Sequence, residues 1–169
     1  MSGTTRKRFT LVSTAFAALF VLAPLPASAA GNPIVHRVTV GGPDACQALA
    51  NSHPGCNANF SLVALEHADG SVSGQYVDRL EEDDGFHATI NCLVVDGHNA
   101  WIGGVIVEGR IGTTDLKGRP VVTRVQDNGT SAREPVDRIS YSWIGDARPC
   151  TMKLNYQLLD VPQGQVKVQ

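Results

Sequence analysis

The sequence predicts an all-β fold: a single antiparallel β-barrel, with a β-sandwich as the alternative closure and one short N-terminal helix at most. Three observations carry that expectation. Between Phe60 and Ile111, apolar runs twice reach an Asp-Gly pair and leave it again, at Asp69-Gly70 and Asp96-Gly97. This is the strongest hairpin signal that a short stretch of sequence holds. Further apolar runs recur as far as Val168, parted by Gly, Pro and Asn, with no crossover helix between them, so antiparallel pairing follows. A meander of about eight strands closes most simply on itself, which hides the edges of so long a sheet.

Residues 1–29 read as an export signal. Arg6, Lys7 and Arg8 form a basic start, Leu11 to Leu25 a short apolar stretch broken by Pro24, and Ala27-Ser28-Ala29 a small-residue cleavage site. The stretch is short and poorly flanked for a span of about 20 residues. The remainder, residues 30–169, is long enough for one domain with its own core. Downstream of the leader, eleven Lys and Arg face sixteen Asp and Glu, a net charge near −5. That balance argues against nucleic acid or an anionic membrane as partner.

Ile34–Val40 is the first strand, rich in β-branched residues and bounded by Gly41-Gly42-Pro43. Asp44 to Asn51 has room for a turn or two of helix with Asp44 as N-cap. Phe60–His67 pairs with Ser71–Arg79, and Phe86–Val95 with Ala100–Ile111. In the third run Phe86, Ala88, Ile90, Cys92 and Val94 share one face by strict alternation. Gly103-Gly104 beside Trp101 predicts a bulge, a bend or a close backbone approach. Gly112 to Pro120 is a polar loop and Val121–Gln126 a further strand. Asp137–Ile144 sets Ile139, Tyr141 and Trp143 on one half-buried face. Met152–Asp160 and Gln165–Val168 complete the set.

Cys46, Cys56, Cys92 and Cys150 all follow the leader, and an even count in an exported chain implies two disulfides in one of three pairings. Cys46 with Cys56 closes the short Pro54-Gly55 loop locally, which leaves Cys92 with Cys150. The longer closure is worth roughly 3–5 kcal/mol on the chain-entropy estimate. A four-cysteine zinc site would need paired CxxC spacing, which is missing.

Turns alternate between the ends of a meander, so His67, Asp69, Asp96 and His98 should meet at one rim, with the Asp127 turn beside them. Two histidines and two or three carboxylates there could bind a metal or do acid–base work, as a hydrolase or isomerase would require. Against this, an Asp in a DG turn caps its own backbone. Glu81 to Asp84 is acidic but lacks the alternate spacing of a calcium loop. No nucleophile elbow, phosphate loop or HExxH motif appears, and nothing calls for a cofactor or a resident metal. Trp101, Trp143 and Tyr141 lie on strands and could line a cavity or a sugar-binding face, although large rings are also needed in the core. Asn59-Phe60-Ser61 and Asn128-Gly129-Thr130 fit the glycosylation pattern. The leading expectation is a non-enzymatic exported module that binds a small molecule or glycan. A rim enzyme and a structural module that meets a protein partner are the alternatives.

The pieces FSLVALEHADGSVSGQY, FHATINCLVVDGHNAWIGGVI and VQDNGT, followed by Cys150, resemble an uncharacterised family of exported bacterial β-rich proteins. The resemblance runs from about Phe60 to the end of the sequence. It implies one exported all-β domain and carries over no activity, ligand or catalytic residue.

Overall fold

A computed structural model describes residues 31–43, 58–80, 84–129 and 133–169. The leader, the Asp44–Asn51 helix, Cys46 and Cys56, and Glu81–Asp83 lie outside the described residues. The fold is all-β and antiparallel, with eleven strands among the described residues where about eight were expected. They are β1 (Ile34–Pro43), β2 (Asn59–His67), β3 (Val72–Arg79), β4 (Gly85–Asp96), β5 (Asn99–Ile111), β6 (Thr114–Asp115), β7 (Pro120–Gln126), β8 (Arg138–Ser140), β9 (Trp143–Ile144), β10 (Leu158–Asp160) and β11 (Gln165–Val168). The excess comes from splitting: the expected loop 112–120 holds β6, and the expected strand 137–144 breaks into β8 and β9. Of the expected strand Met152–Asp160 only β10 forms; Cys150–Met152 is a 3₁₀ turn, which ends at Lys153 in the left-handed region (φ 49).

All strands belong to one sheet, in the order β10-β8-β7-β5-β4-β3-β2-β1-β11, with β6 beside β5 and β9 beside β7. The sheet curls into a half-barrel. The inner face follows from period-two alternation. Val38 and Val40 of β1, Leu62 and Ala64 of β2, and Tyr76 of β3 are buried, with exposed or half-buried residues between them. Ile90, Ile102, Ile106, Val125 and Val166 complete the same core.

Two bulges decide which side chains reach that core. The β4–β5 register slips between Ile90 and Cys92, leaving Asn91 as the extra residue. A slip of one residue flips everything after it to the other face. Leu93 therefore replaces Cys92 in the core, and Cys92 and Val94 join an outer cluster with Trp101, Val122, Cys150 and Tyr156. The expected five-residue face of this strand thus ends at Ile90. The glycine pair opposite meets its expectation: a Cβ on Gly104 would come within 2.4 Å of the Thr89 carbonyl oxygen, and one on Gly103 within 3.3 Å of the Cys92 Cβ. The second bulge lies at Tyr141-Ser142. There β7 pairs Val125 with Ile139 but Val122 with Trp143, one residue out of step. Ile139 is buried, whereas Tyr141 and Trp143 are exposed and Ile144 packs on the core instead. The expected alternation of Ile139, Tyr141 and Trp143 fails for this reason.

The edges of the sheet meet at a seam without a ladder. β10 and β11 stand at opposite edges yet are joined by the turn Val161–Gly164, closed by the Gly164 amide on the Val161 carbonyl. β11 pairs with β1 on one side. Toward the other side its Val166 amide donates to Asp137 Oδ2 (2.6 Å) and its Val168 amide to Asp127 Oδ2 (3.0 Å). The remaining oxygens accept the Asn128 and Gly129 amides, and the Asp137 carbonyl accepts the Val161 amide. Asp137 is 7% exposed. Removing its carboxylate strands two amides, at about 1–3 kcal/mol for each buried one. Asp137→Ala is expected to lower unfolding free energy by about 2–4 kcal/mol on that basis, with faster amide exchange at Val166. A loss under about 0.5 kcal/mol, the range of an ordinary surface change, would show that the seam does not hold the sheet closed.

Candidate functional site

Inside the half-barrel, a cavity of about 240 Å³ opens where β2 and β4 begin and β3 and β5 end. One wall carries Phe60, Phe86 and Ile111; the facing wall carries Ile139, Ile144 and Leu159. The Tyr76 ring meets Phe86 edge-on at 5.1 Å. Three of the cavity's polar side chains are joined: the Ser142 hydroxyl lies 2.7 Å from Asp78 Oδ2 and 2.6 Å from the Tyr76 hydroxyl, which is itself 3.1 Å from Asp78 Oδ2. Asp78 and Tyr76 are 6% and 2% exposed. The triangle joins β3 to the β8–β9 segment across the interior, and the bulge at Tyr141-Ser142 is what sets Ser142 within its reach. Of the expected binding residues, Tyr141 lines this cavity. The sequence reading missed Asp78 and Ser142. Asp78 had a signal: two residues after Tyr76, it is a carboxylate in an inward strand position, where charges are rarely placed without a partner.

Trp101 and Trp143 lie on the outer face. The segment that follows Gly145 folds back over β4, β5 and β7, held by the Cys92–Cys150 disulfide, whose Cα atoms are 6.1 Å apart. The expected pairing of these two cysteines is therefore the observed one. Trp101 is buried beneath this flap. Its indole N–H donates to the Leu154 carbonyl at 2.8 Å, and the Arg124 guanidinium lies 5.2 Å over its ring. Arg124 also donates to Asn155 and Asn99, and burial draws its pKa down, helped by the charge of Arg138. Trp101 thus presents no free ring to a ligand. Trp143 does: it is 42% exposed and stacks on Tyr156 at 5.4 Å. The Tyr156 hydroxyl donates to Asp146 Oδ2 (2.8 Å), which also receives the Arg148 guanidinium (2.6 Å). Hydrogen bonds from Arg148 hold the Asp146 carboxyl far below the usual carboxylate range. Burial, then the Asp146 carboxylate, pushes the Tyr156 phenol up to about 12.

Three of the four rim side chains have partners of their own, and His98 is engaged through its backbone. His67 places Nδ1 by the Asn32 carbonyl (3.3 Å) and Nε2 by the Ser73 hydroxyl (3.1 Å). Asp69 accepts the Ser71 amide, and the Ser71 hydroxyl and amide draw its carboxyl down to about 2. Asp96 pairs with Lys153 at 3.0 Å, and the His98 carbonyl accepts the Asp127 amide. The expected neighbourhood of His98 and the Asp127 turn is thus present. The β3–β4 ladder, however, stops at Gln75 and Thr89, short of the two Asp-Gly turns. Among the described residues no hydrogen bond joins His67 or Asp69 to Asp96 or His98, and no three His, Cys, Asp or Glu side chains gather to hold a metal ion. At the other end both Asp84 oxygens accept the Gly112 amide at 3.0 Å.

Comparison of the chain with family models, with characterised proteins and with solved structures yields no match in any of the three.

The Tyr156 phenol has a pH signature. Its folded pKa lies above the ordinary value of 10, so its contribution to stability is complete below pH 10 and is lost as pH rises through about 12. A spectrophotometric titration of wild type minus Tyr156→Phe should isolate a phenol ionising near 12. A difference centred near 10 would mean that the flap leaves this phenol solvated.

Proposed function

We propose that this is an exported, non-enzymatic binding protein that holds a compact, largely apolar small molecule in the mouth of the half-barrel. The single observation that carries the reading is the cavity between Phe60, Phe86, Ile139 and Leu159, mostly apolar in its lining, with Tyr76, Asp78, Ser140, Tyr141 and Ser142 as its polar groups. A few convergent polar groups in an otherwise apolar concavity are the usual make-up of a small-molecule site. At about 240 Å³ the cavity falls just under the usual range of about 300–1,000 Å³, which favours a small occupant. The disulfide supports an oxidising compartment, and no described helix is long and apolar enough to cross a membrane.

A second reading, a glycan face, rests on Trp143. An exposed indole backed by Tyr156, with the Asp146–Arg148 pair beside it, offers a flat apolar surface next to polar groups. The rim-enzyme reading has less support, because the His67, Asp69 and Asp96 side chains are engaged separately.

Two substitutions separate the readings. Native mass spectrometry of protein purified from an exporting host without chelator should show extra mass that leaves on denaturation. Leu159→Trp, which fills the cavity, should reduce that occupancy at least tenfold, while Trp143→Ala leaves it unchanged. Retention of full occupancy by Leu159→Trp would rule out the cavity as the site. Conversely, glycan-array binding that is abolished by Trp143→Ala and untouched by Leu159→Trp would move the function to the outer face.

A further inference from the structure

We infer that β8 and β9 form a two-register element, and that in the second register Tyr141 and Trp143 close the cavity with the protein's own rings. The inference rests on the cavity reading above and adds how that site is opened and shut. Ser140, Tyr141 and Ser142 all line the cavity. Three successive residues of a regular strand cannot do so, because neighbours point to opposite faces. The bulge permits it, and two side chains hold the bulge. The Arg124 amide is aimed at β8, where a regular ladder would offer it the Ser140 carbonyl. It donates instead to the Ser140 hydroxyl at 2.9 Å, and the Ser140 carbonyl accepts the Thr123 hydroxyl at 3.3 Å. Ser140 and Thr123 are 3% and 1% exposed. Two buried hydroxyls thus stand in for one main-chain rung.

Restoring that rung shifts every residue after Ser140 by one place. Tyr141 then falls opposite Thr123, and Trp143 opposite Val121 rather than Val122. Both rings turn inward beside Ile139, as the alternation along this segment dictates, and Trp143 takes the place of Ile144 in the cavity wall. Ser142 moves to the outer face. The two rings, now 40% and 42% exposed, leave water, which favours the slip. The stack of Trp143 on Tyr156 and the contacts of Ser142 with Tyr76 and Asp78 oppose it. The Arg124 amide and the Ser140 carbonyl have partners in both registers. Only two short ladders, at Val125-Gln126 and at Val121-Val122, fix the choice on β7. A ligand needs the space that the rings would fill, so it selects the bulged register, and the regular register excludes it.

The chain has two tryptophans, so 5-fluorotryptophan labels Trp101 and Trp143 alone. Trp101, hydrogen-bonded beneath the flap, is the internal standard. The readout on the full protein is broadening of the Trp143 fluorine signal by a soluble nitroxide, which follows the population-weighted exposure of the ring. Each hydroxyl supports only the bulged register. Ser140→Ala and Thr123→Val should therefore each move the register ratio about tenfold toward the regular ladder, the effect of one net hydrogen bond. In the double variant the Trp143 signal should be protected while that of Trp101 stays unchanged. Saturating cyclohexanol, a compact and largely apolar probe, should restore the broadening. Hydroxyls with a merely structural role would lower the melting temperature and leave Trp143 open to the nitroxide, which would overturn the inference and leave the cavity reading standing. A protected Trp143 that cyclohexanol does not release, although calorimetry shows wild type binding it, would overturn the inference as well. Wild type that binds no cyclohexanol would overturn the cavity reading and the inference together. If the double variant does not fold, Thr123→Val, which keeps the side-chain volume, carries the comparison, and unchanged broadening in it would overturn the inference.

Discussion

Two carboxylates stand where a strand would otherwise be. A curled antiparallel sheet of this length must do something with its last edge, since a row of bare amides is both unsatisfied and open to pairing with another chain. In this fold the outward amides of β11 are met by Asp137 and Asp127, side chains that lie just past the end of β7 and just before β8. Each carboxylate also accepts an amide of the turn that leaves β7, Asn128 for Asp137 and Gly129 for Asp127. One pair of groups therefore caps an edge, shapes a connection and fixes the distance between two walls. The cavity depends on that distance: Phe60 and Phe86 come from one side of the sheet order, Ile139 and Leu159 from the other.

Much of the frame was legible. Asp-Gly pairs place turns at specific residues because glycine accepts positive φ there, as Gly70 (φ 80) and Gly97 (φ 57) do. Alternation then gives the inward residues of β1, β2 and β3. The Gly103-Gly104 pair announces an irregularity, but the residues do not announce which one carries the bulge. Asn91 and the pair Tyr141-Ser142 have no side-chain property that marks an unpaired extra residue; the slip results from how the neighbouring strands must twist. Each slip moves every later residue to the opposite face. That is why Cys92, Val94 and Trp143 point outward and why the 3₁₀ turn at Cys150 can pack on the outer face.

The site was legible in part for the same reason. Tyr141 could be named from the sequence as a strand aromatic, but its place beside the cavity depends on the bulge. Ser142 is an unremarkable serine until that bulge brings it within 2.7 Å of Asp78. A meander fixes only which end a turn occupies, not whether adjacent hairpins stay paired to that end. Here the ladder between β3 and β4 stops at Gln75 and Thr89, and three rim side chains find partners outside the set: Asn32 and Ser73 for His67, Ser71 for Asp69, Lys153 for Asp96.

The pairing of β1 with β11 links the first and last strands of the described chain. Contacts so distant in sequence form late, since the loop they close carries the largest entropy cost. A chain emerging N-terminus first can build the hairpins of β2 to β5 early, but β1 keeps one side open and the walls stay unclosed until Gln165–Val168 are free. The domain is thus built to remain incomplete through most of its synthesis.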